Sequence, residues 1–235
     1  MKTFLIQTVN NTIRHDFCFQ LVEAIEYNNW FYNDKTYNYV LSDRIVRQSD
    51  LIPIGSLEFV FNYLEKHHQV KDLRPINIPK ELRTSRFLKR NVYVANKNEI
   101  VLTKDKFVKS NSRYKKFTDV TRRVDSLPDD EYIVSDLIDI QSEWRTLVYR
   151  QRLVGLQNYS GDFTLFPDVD LIEEMISSYK DCPPAYTLDV GVGRDGTFVI
   201  EVHPFISCGL YGFRDNKILP TMFVEAFNYE IKKGI

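Results

Sequence analysis

The segment YTLDVGVGRDGTFVIEVHPF, residues 186–205, constrains the fold more than any other part of this chain. Two β-rich runs flank Arg194-Asp195-Gly196, which predicts a hairpin with a three-residue loop and a left-handed glycine. With that loop, facing residues have numbers that sum to 390: Gly193 faces Thr197, Gly191 faces Val199 and Asp189 faces Glu201. Side chains alternate across a strand, so Asp189, Glu201 and His203 share one face. Directly opposed Cβ atoms lie about 5 Å apart, and like charges there repel. Such a pair persists when a cation bridges it, when one carboxyl stays protonated, or when both face water.

The charges along the chain are sorted into blocks. Residues 71–123 carry 16 Lys and Arg against 5 Asp and Glu, and residues 124–201 carry 5 against 16. A basic block suits polyanions such as phosphate, and an acidic block suits cations such as magnesium; two surfaces that simply dock together give the same pattern. At 235 residues and 43% hydrophobic, the chain is globular, with one large domain or two small ones. No apolar run approaches the ~18 residues of a membrane helix. The opening MKTFLIQTVNNTIRHDF breaks its apolar stretch at Gln7, Asn10 and Asn11, which argues against a signal peptide. Cys18, Cys182 and Cys208 form neither a disulfide framework nor a zinc spacing, which points to a reducing cytoplasm.

Periodicity predicts strands at 2–9 and 37–41 and helices at 14–27 and 56–66. Pro75, Pro79 and scattered arginines mark an irregular connection, and a boundary near residue 85 divides the chain into 1–85 and 86–235. Strands are expected at 91–95, 99–102, 106–109, 131–138, 143–150 and 152–159. An amphipathic helix follows Pro167 and Asp168, with Leu171, Ile172, Met175, Ile176 and Tyr179 on its apolar side. Strands at 185–192 and 197–203 and a helix at 220–232 close the chain. This order predicts an α+β protein with a small α/β N-terminal lobe and a mostly antiparallel C-terminal lobe.

Several of these segments resemble the ATP-grasp superfamily. The hairpin is similar to its metal-binding hairpin, EWRTLVYRQRLVGLQNYSGD (143–162) to its acid-x-Arg strand and return, and FVKSNSRYKKFTD (107–119) to its lysine strand and phosphate-covering loop. IPIGSLEFV (52–60) and CGLYGF (208–213) are similar to the branch characterised by one arginine and two lysines. The resemblance implies an ATP-grasp fold that holds ATP between its lobes, with 1–85 a pre-ATP-grasp-like subdomain and 86–235 the ATP-grasp domain. It further implies an ATP- and magnesium-dependent ligase that joins a carboxylate to an amine or thiol through an acyl phosphate, releasing ADP and phosphate. The substrates are unidentified, a peptide or other macromolecule among the candidates.

By the same resemblance, Lys109 holds the α-side phosphates and Lys116 closes over the transferred phosphoryl group. Ser135, Asp136 and Leu137 lie nearest the base, Asp139 is the candidate for the ribose hydroxyls, and Glu143 lies with the nucleotide. Arg145 stabilises phosphoryl or acyl-phosphate charge, for which a planar fork of donors is suited. Residue by residue, other readings stand beside these: a solvated basic face for the lysines, Lys104, Lys106 and Lys115 included, and a structural Glu143–Arg145 pair. Asp189, Glu201 and His203 are the metal ligands implied. An Asn is usual where His203 stands, and imidazole prefers softer ions than magnesium, so manganese is the alternative metal.

No G-x-x-x-x-G-K-[ST] loop and no protein-kinase signature set occurs. A competing expectation is a nucleic-acid-binding protein that uses the basic stretch 104–123, with Phe107, Tyr114 and Phe117 stacking on bases. A third is an ATP-binding module without turnover.

Overall fold

The computed structural model describes residues 1–71, 73, 75–112 and 116–234. Strand β1 (Lys2–Gln7) lies between β2 (Tyr37–Ser42) and β3 (Ile52–Ile54), all parallel. Helix α1 (Asp16–Phe31) joins the first two strands, and α2 (Leu57–His68) follows the third, its N-terminus capped by Ser56 Oγ accepting from the Phe59 amide. Three-residue β3 is too short for alternation to reveal, and it forms because β1 offers it a parallel edge.

Helix α3 (Ser85–Leu88) leads into a second sheet, ordered β4-β7-β5-β6: β4 (Val92–Asn96), β5 (Lys106–Ser110), β6 (Thr118–Thr121) and β7 (Glu131–Ser135). The strand expected at 99–102 is absent. Glu99 turns back instead to accept from the Asn96 amide at 2.9 Å, which closes a 3₁₀ turn over Lys97–Glu99. Strand β7 ends at Ser135 rather than 138, and just beyond it the Asp136 carboxylate accepts from Lys106 and from Asn91.

The third sheet is antiparallel, ordered β11-β10-β8-β9: β8 (Ser142–Tyr149), β9 (Arg152–Gly161), β10 (Ala185–Gly193) and β11 (Gly196–Pro204). Its two faces differ. Trp144, Val148, Tyr186, Leu188, Val190, Val199 and Val202 pack in one core with Leu171, Ile172, Met175 and Ile176 of α4 (Val169–Ser178). Leu147 and Ala185, on the other face, join the core of the N-terminal sheet. Helix α5 (Leu219–Gly234) completes that same core through Leu219, Met222, Phe223, Ala226 and Phe227. The chain's two ends therefore share one apolar interior. Among the described residues, no helix is long and apolar enough to cross a membrane.

Candidate functional site

The β10–β11 hairpin differs from its expected register near the turn and agrees with it at the carboxylates. The loop has two residues, Arg194 and Asp195, and Gly196 keeps the positive φ of 87°. Gly193 therefore faces Gly196, Gly191 faces Phe198 and Val190 faces Val199, one residue off the predicted pairs. A Cβ on Gly191 would sit 2.5 Å from the Phe198 ring, so glycine is what lets that ring lie across the strand. A β-bulge at Ile200 then absorbs one residue and brings Asp189 opposite Glu201. Without it Glu201 would face Leu188, in the apolar core beneath α4.

Asp189 is 2% exposed. Arg145 on β8 grips it bidentately, Nε to Oδ1 at 2.9 Å and Nη2 to Oδ2 at 2.7 Å, while Nη1 donates to the Gly209 carbonyl at 3.0 Å. Lys109 of β5 crosses from the second sheet to donate to Glu201 Oε2. His203 Nε2 lies 3.2 Å from Glu201 Oε1 and 3.6 Å from Asp189 Oδ2. The opposed carboxylates are thus compensated by the protein's own cations, an arrangement the simple repulsion argument omits. Burial opposes the ionised form of Glu201, but His203 and Lys109 outweigh it and hold the carboxyl well below the usual carboxylate range. Burial likewise opposes the imidazolium, and the two carboxylates outweigh it to raise His203. Arg145 pairs with Asp189 and not with Glu143, whose Oε2 accepts from the Tyr159 hydroxyl at 2.7 Å.

Beside this cluster lies a cavity of about 260 Å³, which Lys109 and Glu201 line together with Ile78, Arg90, Phe107 and Ser135. Its lining mixes apolar side chains with Arg90, Lys109 and Glu201, a composition suited to a flat polar ring with an anionic tail. Arg90 carries no sequence signal that would have marked it. Its Nε donates to Ser135 Oγ and its Nη1 to the carbonyls of Leu88 and Val199, each at 2.9 Å. Burial without a carboxylate partner lowers its pKa to about 10.

The remaining expected residues are dispersed. Asp136 is engaged by Lys106 and, at 3.2 Å, by Lys104, so Lys106 belongs to a largely buried ion pair and not to a solvated face. The hydrogen bond from Lys106 holds the Asp136 carboxyl well below its usual range. Leu137 is exposed. Asp139 accepts from Gln141 at 2.8 Å and lies 3.4 Å from Arg194. Lys116 is exposed, and its charge acts on Asp130. Of the three aromatics in the basic stretch, Phe107 lines the cavity, Phe117 packs edge-on against Tyr132, and Tyr114, like Lys115, lies outside the described residues. The Phe107 and Phe117 rings are both half-buried.

Two features went unseen in the sequence. Tyr159 and Tyr211 stack at 5.0 Å, and the Arg145 guanidinium lies over Tyr211 at 4.9 Å. The loop bearing Tyr211 is tied to the N-terminal lobe: Asp16 Oδ2 accepts from the amides of Leu210 and Tyr211, and Ser207 Oγ donates to the Gly55 carbonyl. These contacts join residues 152 to 195 positions apart, so periodicity carries no trace of them.

The family model for the ATP-grasp domain, R2K clade family 2, matches residues 87–220. The chain belongs to this family. As an ATP-grasp protein it is similar in fold to D-alanine–D-alanine ligase from Bacillus anthracis complexed with ATP, at 15% identity over 100% of both chains and a TM-score of 0.54. A RimK domain ATP-grasp protein from Sphaerobacter thermophilus shares 12% identity over 99% of this chain and 98% of that one, with a TM-score of 0.55. N5-carboxyaminoimidazole synthetase from Staphylococcus aureus shares 9% over 96% of this chain and 77% of its own, with a TM-score of 0.58. No curated protein sequence matches. At these identities the structural likeness is one of fold, and the ATP-grasp fold is α+β, as expected.

Whether the residues present fit a metal is answered by their donor atoms. Asp189, Glu201 and His203 each offer one ligand atom, and these atoms all lie within 4.8 Å of one another. Two carboxylates and an imidazole within such a radius fit a divalent cation.

Proposed function

We propose that this ATP-grasp protein is an ATP-dependent ligase that joins a carboxylate to an amine or thiol, releasing ADP and phosphate. One observation carries the reading: Lys109 and Glu201 belong both to the cavity wall and to the carboxylate cluster. A base in the cavity would direct its phosphates toward the only place where cationic side chains and cation-binding carboxylates meet among the described residues.

In this reading a substrate carboxylate oxygen attacks the γ-phosphorus, ADP departs, and an acyl phosphate forms. The amine or thiol then attacks the acyl carbon, phosphate leaves, and the nucleophile loses its proton. Lys109 holds the α-side phosphates once nucleotide draws it from Glu201, and Lys116 closes with its segment over the transferred phosphoryl group. Arg145, fixed by Asp189 and Gly209, supplies positive charge beside the developing acyl-phosphate charge. Ser135, Asp136 and Leu137 border the base, Asp139 the ribose, and Glu143 holds Tyr159 at the nucleotide's edge. Asp189, Glu201 and His203 would hold a divalent ion, magnesium or manganese, whose chemistry is to neutralise phosphate oxygens. Residues 1–85 would contribute the substrate loops and 86–235 the nucleotide site, in the cytoplasm.

The test is ADP release, with magnesium present, across panels of carboxylates and amines, peptides included. Release that requires both partners supports a ligase. Tight ATP binding with no release under any pairing would mark a binding module instead.

A further inference from the structure

We infer that His203 makes the carboxylate cluster select a first-row transition ion, with manganese as its representative, over magnesium. The inference deepens the ligase reading and rests on it for the ion's use, though not for its binding.

The donor set is the starting point. Magnesium takes oxygen ligands in near-ideal octahedra and gives up water reluctantly, whereas imidazole suits ions that form stronger bonds to nitrogen. His203 does not stand aside from the carboxylates. Its Nε2 lies between them, at 3.2 Å from Glu201 Oε1 and 3.6 Å from Asp189 Oδ2. Ligands bound at about 2.1 Å to one centre are separated by similar distances at right or tetrahedral angles. The imidazole therefore occupies a ligand corner and would join any ion that both carboxylates share.

Charge sharpens the choice. Lys109 already engages Glu201 and Arg145 already engages Asp189, so the cluster has little net negative charge to offer. An ion held mainly by charge gains little here, and one that gains from a nitrogen bond is favoured. An independent feature points to occupancy of the cluster itself. Thr187 is fully buried, its Oγ1 has no partner, and it sits directly across from His203, two residues along β10 from Asp189 on the same face. A polar atom so placed is satisfied by a water or ligand at the cluster.

The metal-stripped full chain is titrated with Mn²⁺ alone, and the free-ion signal is followed by electron paramagnetic resonance. Wild type is expected to bind Mn²⁺ without nucleotide and to retain more than half of it against a tenfold excess of Mg²⁺. His203→Asn is expected to lose at least tenfold in Mn²⁺ affinity while competing Mg²⁺ binds no worse. Failure of Mn²⁺ to bind alone, its displacement by equimolar Mg²⁺, or an unchanged preference in His203→Asn overturns the inference. Should His203→Asn lack a cooperative melting transition, the wild-type competition decides. A calorimetric titration with a non-hydrolysable ATP analogue separates the two readings. No nucleotide binding with either ion, while Mn²⁺ binds, refutes the ligase and leaves the metal preference standing. Nucleotide binding with Mg²⁺ in a protein indifferent to Mn²⁺ does the reverse.

Discussion

Arg145 and Asp189 form a bidentate ion pair with both side chains largely removed from water. Removing one member of such a pair leaves the other as an uncompensated buried charge, which costs more than the pair itself contributes. Asp189→Asn is therefore expected to destabilise the metal-free protein by roughly 2–4 kcal/mol, read from urea unfolding. Relief of carboxylate repulsion alone predicts the opposite sign, and an unchanged or higher urea midpoint would favour that simpler view. The two lysines divide differently. Lys109 is 7% exposed and reaches the cluster, so Lys109→Ala should weaken nucleotide binding. Lys116 is exposed, so Lys116→Ala should slow turnover with binding little changed, because a closing segment acts mostly in the transition state. Calorimetry paired with single-turnover ADP release distinguishes them, and equal binding losses would contradict the division.

At the scale of elements, the bulge at Ile200 decides where β11 sends its side chains. Deleting Ile200 should carry the 389 register to the end of the hairpin and turn Glu201 toward Leu188. The variant is expected to lose the thermal stabilisation that Mg–ATP confers and to melt earlier, since a carboxylate enters an apolar core. A variant that still responds to Mg–ATP would show that the bulge is dispensable. Helix α5 carries a different burden: Glu230 is 6% exposed, and burial raises its pKa, with Lys233 only partly offsetting this. A carboxyl with a raised folded pKa binds more protons folded than unfolded, so stability falls as pH rises from the unfolded value of about 4.3 through the folded one. Glu230→Gln should match wild type near pH 4 and exceed it at pH 7 by on the order of 1 kcal/mol. Urea midpoints of both proteins at the two pH values give the comparison, and a more stable wild type at pH 7 would overturn it.

For the whole molecule, the cleft between the second and third sheets is bridged by Lys109 and Glu201, and the N-terminal lobe is pinned to the third sheet's loops by Asp16 and Ser207. A ligand that binds this assembled cleft stabilises only the folded chain. Mg–ATP at a hundredfold excess over its dissociation constant should raise stability by about 2.7 kcal/mol. GTP should do less, since the donor-lined end of the cavity, Arg90 with Ser135, is shared but the exocyclic groups differ. Thermal unfolding with each nucleotide, with and without metal, measures both expectations. The absence of any shift with millimolar Mg–ATP would remove the nucleotide from the proposal.

Strand alternation anticipates that Asp189, Glu201 and His203 share a face, but the pairing holds only because the bulge at Ile200 offsets a turn one residue shorter than the pattern predicts, and a bulge leaves no mark in the alternation. Local pattern determined the helix over Val169–Ser178, through apolar spacing and the Asp168 cap, whose Oδ1 accepts from the Leu171 amide at 3.1 Å. What the pattern could not contain is which cations meet those carboxylates. Lys109 and Arg145 come from other strands, Gly209 and Asp16 from opposite ends of the chain, and Arg90 from a connection without periodicity. Alternation acts between neighbours in sequence, whereas charge compensation depends on distance in space. Only the packing of three sheets set those distances, and with them whether the acidic hairpin stands as a repulsive pair or as a compensated site.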